Sequence, residues 1–353
     1  MTIDFFDFFS GCGGSSCGMQ SAGLAVRFGL DIDPDARATF TSNFKDAVFL
    51  CDDIKNIHEN QLNELIGKKR NNPILFGACA PCQPFSKQNR QRSCKDERRS
   101  LLSEFQRFVQ KYQPEYVFIE NVPGIQTVDE EVGPFADFLK LLSELEYYYN
   151  HRIVMACHYG VPQNRPRMVL MASRLGRIAI PERTHGPGTS NPDLPTVREW
   201  IGKLPAIAAG EIDDSIPNHR AARLSDLNMK RIKATPIEGG RSDWPLELRL
   251  NCHDNHRGHT DVYGRMHWDK PASTLTTRCI SLSNGRFGHP EQHRAISVRE
   301  AACLQTFPMD FVFHGNLNSM ARQIGNAVPV RLAEVFGKAF LAHYHALSKA
   351  EAA

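Results

Sequence analysis

No stretch of this chain approaches the roughly 18 uninterrupted apolar residues that a membrane helix requires, so no spanning segment is expected. Nor does the amino terminus resemble an export signal: MTIDFFDFFSGCGG has no basic lead and places acids inside its apolar run. It reads instead as a buried strand. Without such a signal, the ten cysteines are expected to be free thiols in a reducing compartment rather than a disulfide frame, and the expected location is cytoplasmic. Excess charge is also missing. The 42 basic and 39 acidic residues leave a formal net charge of +3, which does not decide between partners, because a nucleic-acid enzyme can be near neutral when its basic groups share one face. There is no internal repeat and no long low-complexity tract, and a charged fraction of 23% indicates neither disorder nor a coiled coil.

What is present suits one sizeable α/β core and a smaller second domain: 353 residues, 41% of them hydrophobic. Up to about residue 175 short apolar runs alternate with helical stretches, as βα units do. Strands are expected at 5–9, 25–31, 47–50, 74–78 and 117–120, most of them ending at Gly, Pro, Asp or Cys. Two further runs, 153–157 and 168–172, flank the turn YGVPQNRPR and suggest a hairpin at one edge of an open, mostly parallel sheet. From 181 to about 290, Gly, Pro, His and Arg are frequent and periodicity is poor, as in THGPGTSNPDLP. Regular structure returns near 297–307 and in an amphipathic helix over 328–347. The expected division is therefore 1–180 with 319–353 as one domain and a loop-rich 181–318 as the other.

The first functional signal is DFFDFFSGCGGSSCGMQSAGL, a strand, a Gly-rich turn and a helix start. Gly11, Gly13 and Gly14 permit a tight turn and close approach of a ligand to the backbone. Asp31 closes the next strand about 20 residues on, where a carboxylate can hold ribose hydroxyls. Two details disfavour a dinucleotide. Ser16 stands where the fingerprint requires its third glycine, and no Lys or Arg occurs from Met1 to Val26. A polyphosphate would want such charge, whereas a nucleoside with a cationic sulfonium would not. S-adenosylmethionine fits, with Asp53 as an acceptor for the adenine amino group. A generic nucleotide-binding turn remains open, since a Gly-rich turn alone is a weak motif.

The second signal is Cys82, just past the fourth strand, with Pro81 stiffening the turn. Open α/β sheets bind ligands at this carboxyl edge. Cys79 makes a C-x-x-C, so zinc, redox and buried-thiol readings compete, although only Cys94 lies nearby as a further zinc ligand. The strand VFIENV delivers Glu120 and Asn121 to the same edge, and QNRPR offers Gln163, Arg165 and Arg167. A thiol, a carboxyl group and a guanidinium together match cytosine C5 chemistry. Carbon 5 becomes nucleophilic once a thiolate adds to carbon 6, and that addition needs an acid at N3 and a cation at O2. A surface Glu–Arg pair would explain two of the three groups, but not their coincidence with Cys82.

On these residues the chain resembles the DNA (cytosine-5-)-methyltransferases. FSGCGG (9–14), DID (31–33), PCQPFS (81–86), ENV (120–122), QNRPR (163–167), REAACLQTFP (299–308) and QIGNAVPV (323–330) follow in that family's order across nearly the whole chain. The resemblance implies a Rossmann-like S-adenosylmethionine-dependent methyltransferase fold with a smaller target-recognition domain. It implies that Phe9, Gly11, Gly13, Asp31, Ile32, Asp53, Ile54, Pro81, Asn326 and Val328 line the cofactor site. It makes Cys82 the nucleophile, lets Glu120 hold N3 and Arg165 contact O2, has Asn121 brace the catalytic loop, and adds Arg167 to the catalytic group. Two departures are visible: Pro329-Val330 replaces a pair of prolines, and Ile32 replaces the aromatic residue after the ribose acid.

A base within a duplex must be flipped out before carbon 6 can be attacked, at a cost of roughly a few kcal/mol. The basic segment SKQNRQRSCKDERRS (86–100) suits a loop closing over DNA, with Ser86, Lys87, Gln88, Arg90 and Arg98 as contacts. Arg265 and Arg278 are candidates in the second domain. The Cys and His residues of NCHDNHRGHTDVYGR do not have zinc-finger spacing, and no metal is expected. The expected partner is duplex DNA, with the protein monomeric and a cognate restriction endonuclease left open. The nearest rival is the same chemistry on transfer RNA; a long loop-rich second domain favours duplex DNA. A non-enzymatic DNA-binding protein is the rival of another class, against which the full catalytic set speaks, and a flavin or nicotinamide oxidoreductase is a remote third.

Overall fold

A computed structural model describes residues 2–67, 70–80, 101–123, 133–250 and 261–351. The chain divides into two compact units, the first made of 1–155, 166–183 and 328–353, the second of 156–165 and 184–327. The turn 156–165 and the segment 319–327 thus pack with the second unit, where sequence patterning grouped them with the first.

The first unit is built on strands β1 (Asp4–Phe8), β2 (Ala25–Asp31), β3 (Val48–Cys51), β4 (Ile74–Ala78), β5 (Tyr116–Asn121), β6 (Tyr148–Met155) and, past the short β7 (Gln163–Asn164), β8 (Pro166–Ser173). Their order is β3-β2-β1-β4-β5-β8-β6. Pairs β1–β2, β1–β4, β2–β3 and β4–β5 are parallel, and β8 runs antiparallel to both neighbours. This is a Rossmann-like α/β sheet. The expected hairpin forms, but its second strand inserts beside β5 and leaves β6 at the edge. β6 begins five residues before the apolar run, because Tyr148 through Ile153 are exposed and leave no alternating signature.

Alternation along the central strands assigns their two faces. Phe6, Phe8, Phe28, Phe76, Val117 and Ile119 join one core with Phe105 and Phe108 of the helix Leu101–Tyr112 and with Phe138 of the helix Pro134–Glu144. On the other face Tyr116 and Phe118 meet Phe336 and Phe340 of the final helix, Val330–Glu351. That helix closes on the helix Gly14–Ser21 at Gly18, where a Cβ would lie 2.3 Å from Val330 O. The two ends of the chain therefore build one unit.

The strand order reverses between β1 and β4, and open α/β sheets bind ligands at the carboxyl ends of the strands beside such a reversal. The Gly-rich turn leaves β1 there. The segment toward Cys82 leaves β4, with Phe8 opposite Ala78 in register and Cys79 N donating to Phe8 O at 3.3 Å.

The second unit has little regular structure and relies on buried charge. Arg294 and Glu300, 0% and 1% exposed, form a two-pronged pair at 2.6 and 2.7 Å. Glu300 also accepts from Ser297 N at 2.6 Å, at the start of the helix Val298–Leu304. Burial pushes its carboxyl up, but the Arg294 guanidinium more than offsets that and holds it below the usual range. Arg299 donates to Pro217 O, Pro308 O and Phe311 O. The segment REAACLQTFP is thus an anchor for this unit. Arg294→Met should destabilise it by about 3–5 kcal/mol in urea unfolding, because Glu300 is left as a buried charge without its cation; a change below about 1 kcal/mol would mean that the pair is not an anchor.

Candidate functional site

The Gly-rich turn is held from below and from the side. Gly11 and Gly13 adopt φ of 52° and 95°, a region that disfavours side chains, and no atom lies within 4 Å of a Cβ built at Gly11. Phe9 shares the positive φ, at 59°, while its ring packs against the first core. Gly11 N donates to Asp31 Oδ2 at 2.9 Å, and Asp31 Oδ1 accepts from Asp33 N at 3.0 Å. Burial raises the Asp31 carboxyl above its ordinary range, with the two backbone donors opposing. The adjacent residues contrast in exposure: Ile32 is 65% exposed and Ile54 is buried. Asp53 Oδ1 accepts from Lys55 N at 3.0 Å, capping the short turn Ile54–Asn56. The two carboxylates stand at the end of β2 and just past β3, and the turn itself carries no Lys or Arg.

Asp7, which sequence reasoning did not single out, supports this turn. It is fully buried on β1, and its Oδ2 accepts from Ser15 Oγ at 2.7 Å and Ser16 Oγ at 2.6 Å. Its Oδ1 is buried with no hydrogen-bond partner among the described residues. Burial moves the carboxyl from 3.8 to about 7. The signal was a second acid, after Asp4, in a strand of phenylalanines, followed at short range by two serines. Ser16, which displaces the third glycine of a dinucleotide loop, supplies one of its two hydroxyl partners.

Glu120 and Asn121 end β5, beside β4 on one side and β8 on the other. Glu120 is 6% exposed, and Arg167 Nε approaches its Oε1 at 2.6 Å. The approach is not aligned for a hydrogen bond, so Oε1 retains its acceptor capacity among the described residues. Arg167 projects from β8 two residues before Val169, the cross-strand partner of Glu120. Asn121 Nδ2 donates to Ala80 O at 3.3 Å, and its Oδ1 accepts from Val122 N at 2.8 Å. The side chain thereby ties the segment leaving β4 to the end of β5.

Several expected site residues behave otherwise. Arg165 belongs to the second unit, 2% exposed, with its guanidinium on Leu275 O, Gly325 O and Ala327 O. The cation beside Glu120 is Arg167, and the residue expected at O2 is turned to carbonyls. Arg165 lies between β7 and β8 and belongs to neither strand, whereas Arg167 is the second residue of β8, so the two do not share one strand face. Arg265, expected at DNA, is 2% exposed, and Thr235 O, His289 O, Gln292 O, Ile232 O and His293 Nδ1 take all its donors. It is an internal brace, unavailable to a phosphate. Arg278 is exposed. Asn326 is exposed at the end of the helix Leu317–Asn326 in the second unit, and Val328 is buried in the first. Pro81, Cys82, Ser86, Lys87, Gln88, Arg90 and Arg98, and the Cys and His residues of 251–260, lie outside the described residues. No described helix is long and apolar enough to cross a membrane.

Comparison with known proteins agrees across the chain. Residues 3–342 match the family model for C-5 cytosine-specific DNA methylase. The Type II methylase M.HgiDII of Herpetosiphon aurantiacus is 41% identical over 339 residues, covering 94% of this chain and 93% of that protein. The Type II methyltransferase M1.HphI of Haemophilus parahaemolyticus is 32% identical, covering 97% and 87%. Among solved structures, a protein encoded within an E. coli prophage superposes with a TM-score of 0.75 at 23% identity, covering 97% and 99% of the two chains. Spodoptera frugiperda DNMT2 gives a TM-score of 0.65 at 15% identity, covering 96% and 100%. These two likenesses concern the fold.

Asp7 makes a prediction about pH. An acid whose folded value is raised to about 7 binds more protons folded than unfolded, so its contribution to stability falls as pH rises from about 4 to 7 and is flat above. Asp7→Asn should therefore gain melting temperature relative to the parent as pH rises from about 5 to 7.5. Parallel curves for the two proteins would show that Asp7 does not titrate in that window.

Proposed function

Because the chain belongs to the C-5 cytosine-specific DNA methylase family, and so methylates carbon 5 of cytosine in DNA, we propose that it does so through Cys82, Glu120 and Arg167, with S-adenosylmethionine as the methyl source. The observation that carries this reading is the buried Glu120–Arg167 contact at the carboxyl end of β5. It stands one strand from β4, whose continuation leads to Cys82 within three residues of Cys79.

The Cys82 thiolate adds to carbon 6 of the cytosine, forming a C–S bond and moving electron density toward N3 and O2. Glu120 Oε1, buried and without a hydrogen bond, is suited to share a proton with N3. Arg167, fixed within β8, places a cation beside that carboxyl and is suited to the charge that develops at O2. Asn121 fixes Ala80 O, two residues before the thiol, and so limits where Cys82 can sit. S-adenosylmethionine, when bound, supplies an electrophilic methyl carbon on its sulfonium. Loss of the carbon 5 proton and of the thiolate then restores the aromatic base. Reaching the base requires it to leave the duplex, and the basic segment 86–100 is the proposed closing element.

The residues present suit this cofactor. Asp31 offers a carboxylate to the ribose, Asp53 an acceptor to the adenine, and Ile32 and Ile54 two aliphatic surfaces, one exposed and one buried. Gly11 and Gly13 keep the turn free of side chains, and Phe9, Pro81, Asn326 and Val328 complete the proposed set. The absence of Lys and Arg before Arg27 agrees with a ligand that has no phosphate. We also assign 1–180 with 319–353 to catalysis and 181–318 to target recognition, with Arg278 among its DNA contacts. The names of the type II relatives support a role as the modifying partner of a restriction endonuclease.

With labelled S-adenosylmethionine and duplex DNA, the protein should place label on carbon 5 of cytosine within one short sequence, and transfer RNA should remain unlabelled. Arg167→Lys should lower kcat about a hundredfold, since a point charge does not replace the guanidinium plane fixed beside Glu120. Cofactor affinity should be unchanged. Wild-type turnover in that variant, or label found only on RNA, would refute the reading.

A further inference from the structure

The turn that carries Asp53 is too short to hold itself. Residues Ile54–Asn56 make a single helical turn, in which Asn56 N donates to Asp53 O at 2.8 Å and Ile57 N to Ile54 O at 3.2 Å. A lone turn is unstable, because several backbone dihedrals are fixed for one or two hydrogen bonds, so contacts from outside must set its shape. They come from the helix Leu101–Tyr112. Arg107 Nη2 donates to Ile54 O at 2.5 Å. Its Nη1 donates to Glu59 Oε1 at 2.7 Å in the turn that follows, and its Nε to Glu104 Oε2 at 3.0 Å on its own helix. The guanidinium carbon lies over the Phe108 ring, 4.5 Å from its centre.

The same helix supports the other side of the proposed cofactor site. Phe105 and Phe108 each place their rings 5.1 Å from that of Phe8, the last residue of β1 before the Gly-rich turn. Ile54 and Ile57 join the same core. Neighbouring residues of one helix thus grip both turns, Phe108 the strand that leads to Gly11 and Gly13, and Arg107 the turn capped by Asp53. Ion pairing alone does not account for this arginine. Glu59 and Glu104 are partly exposed and can be solvated without it, whereas the donor spent on Ile54 O serves a buried residue. Asp53 Oδ1 is tied to Lys55 N at 3.0 Å, so the direction of its carboxylate follows the turn that Arg107 holds.

We propose that Arg107 is a positioning residue for adenine recognition: by holding Ile54 O it fixes the turn that presents the Asp53 carboxylate to the adenine amino group. The proposal rests on the reading of Asp53 as the acceptor for that group, and the test separates the two. Binding of S-adenosylhomocysteine and of S-inosylhomocysteine, which has an oxygen in place of the amino group, is measured by calorimetry on the full-length protein. The parent should prefer the adenine ligand by about tenfold or more, the scale of a hydrogen bond to a charged acceptor, and Asp53→Ala should lose that preference. Arg107→Met should reduce the preference to less than about threefold, chiefly by weakening the adenine ligand. Because both ligands are measured on one variant, a fraction of unfolded protein weakens them equally and leaves their ratio unchanged. If Arg107→Met gives no folded protein, Arg107→Lys, with one nitrogen for three acceptors, takes its place with the same expectation. A preference as large as the parent's, including an equal loss of affinity for both ligands, would show that Arg107 serves the fold alone and would overturn its role. No preference in the parent, or an undiminished one in Asp53→Ala, would overturn the reading of Asp53 and the proposal with it.

Discussion

A carboxylate buried at the end of a central strand requires a cation or a proton, and this constraint organises the candidate site. Glu120 takes its cation from β8, the neighbour that runs antiparallel to β5. Parallel β4 ends at the same edge and contributes only the segment that follows it, whereas antiparallel β8 starts there and carries Arg167 as its second residue. The pair leaves one carboxyl oxygen close to positive charge but without a hydrogen bond, a poised acceptor rather than a finished structural bridge. Moving β8 elsewhere in the sheet would leave Glu120 a costly buried charge.

The same economy of charge recurs with a different purpose in the loop-rich unit. Arg165, Arg265 and Arg299 are each directed mainly at backbone carbonyls, and Arg294 at Glu300. A region with few strands and short helices has many carbonyls that no ladder satisfies, and burying them unpaired costs about as much as a lost hydrogen bond each. Arginine, with five donors in one plane, satisfies several at once. An arginine in such a unit is therefore poor evidence of a DNA contact unless it is exposed, as Arg278 is.

Much of the first unit was legible in sequence because its strands are buried on both faces and appear as short apolar runs. Phe5 through Phe8 and 116–121 are fully or nearly fully buried. The exposed edge strand β6 carried no such pattern and was read five residues short. The Gly-rich turn, Asp31 and Glu120 were found from spacing and from their place at strand ends. The choice between Arg165 and Arg167 was not accessible that way. They stand two residues apart, and which one meets Glu120 depends on where β8 begins. Asp7 was passed over because an acid among phenylalanines reads as a pattern defect, while its meaning lies in hydroxyls eight and nine residues away.

The proposed reaction depends most on a thiol adding to the base beside Glu120 and Arg167. Duplex DNA in which cytosine carries fluorine at carbon 5 tests this directly. The carbon 5 proton is then missing, the thiolate cannot be expelled after methyl transfer, and the adduct persists. Digestion and mass spectrometry of the trapped complex should locate the nucleotide on Cys82, out of ten cysteines in the chain. A stable adduct on any other cysteine, or methyl transfer without any adduct, would contradict it.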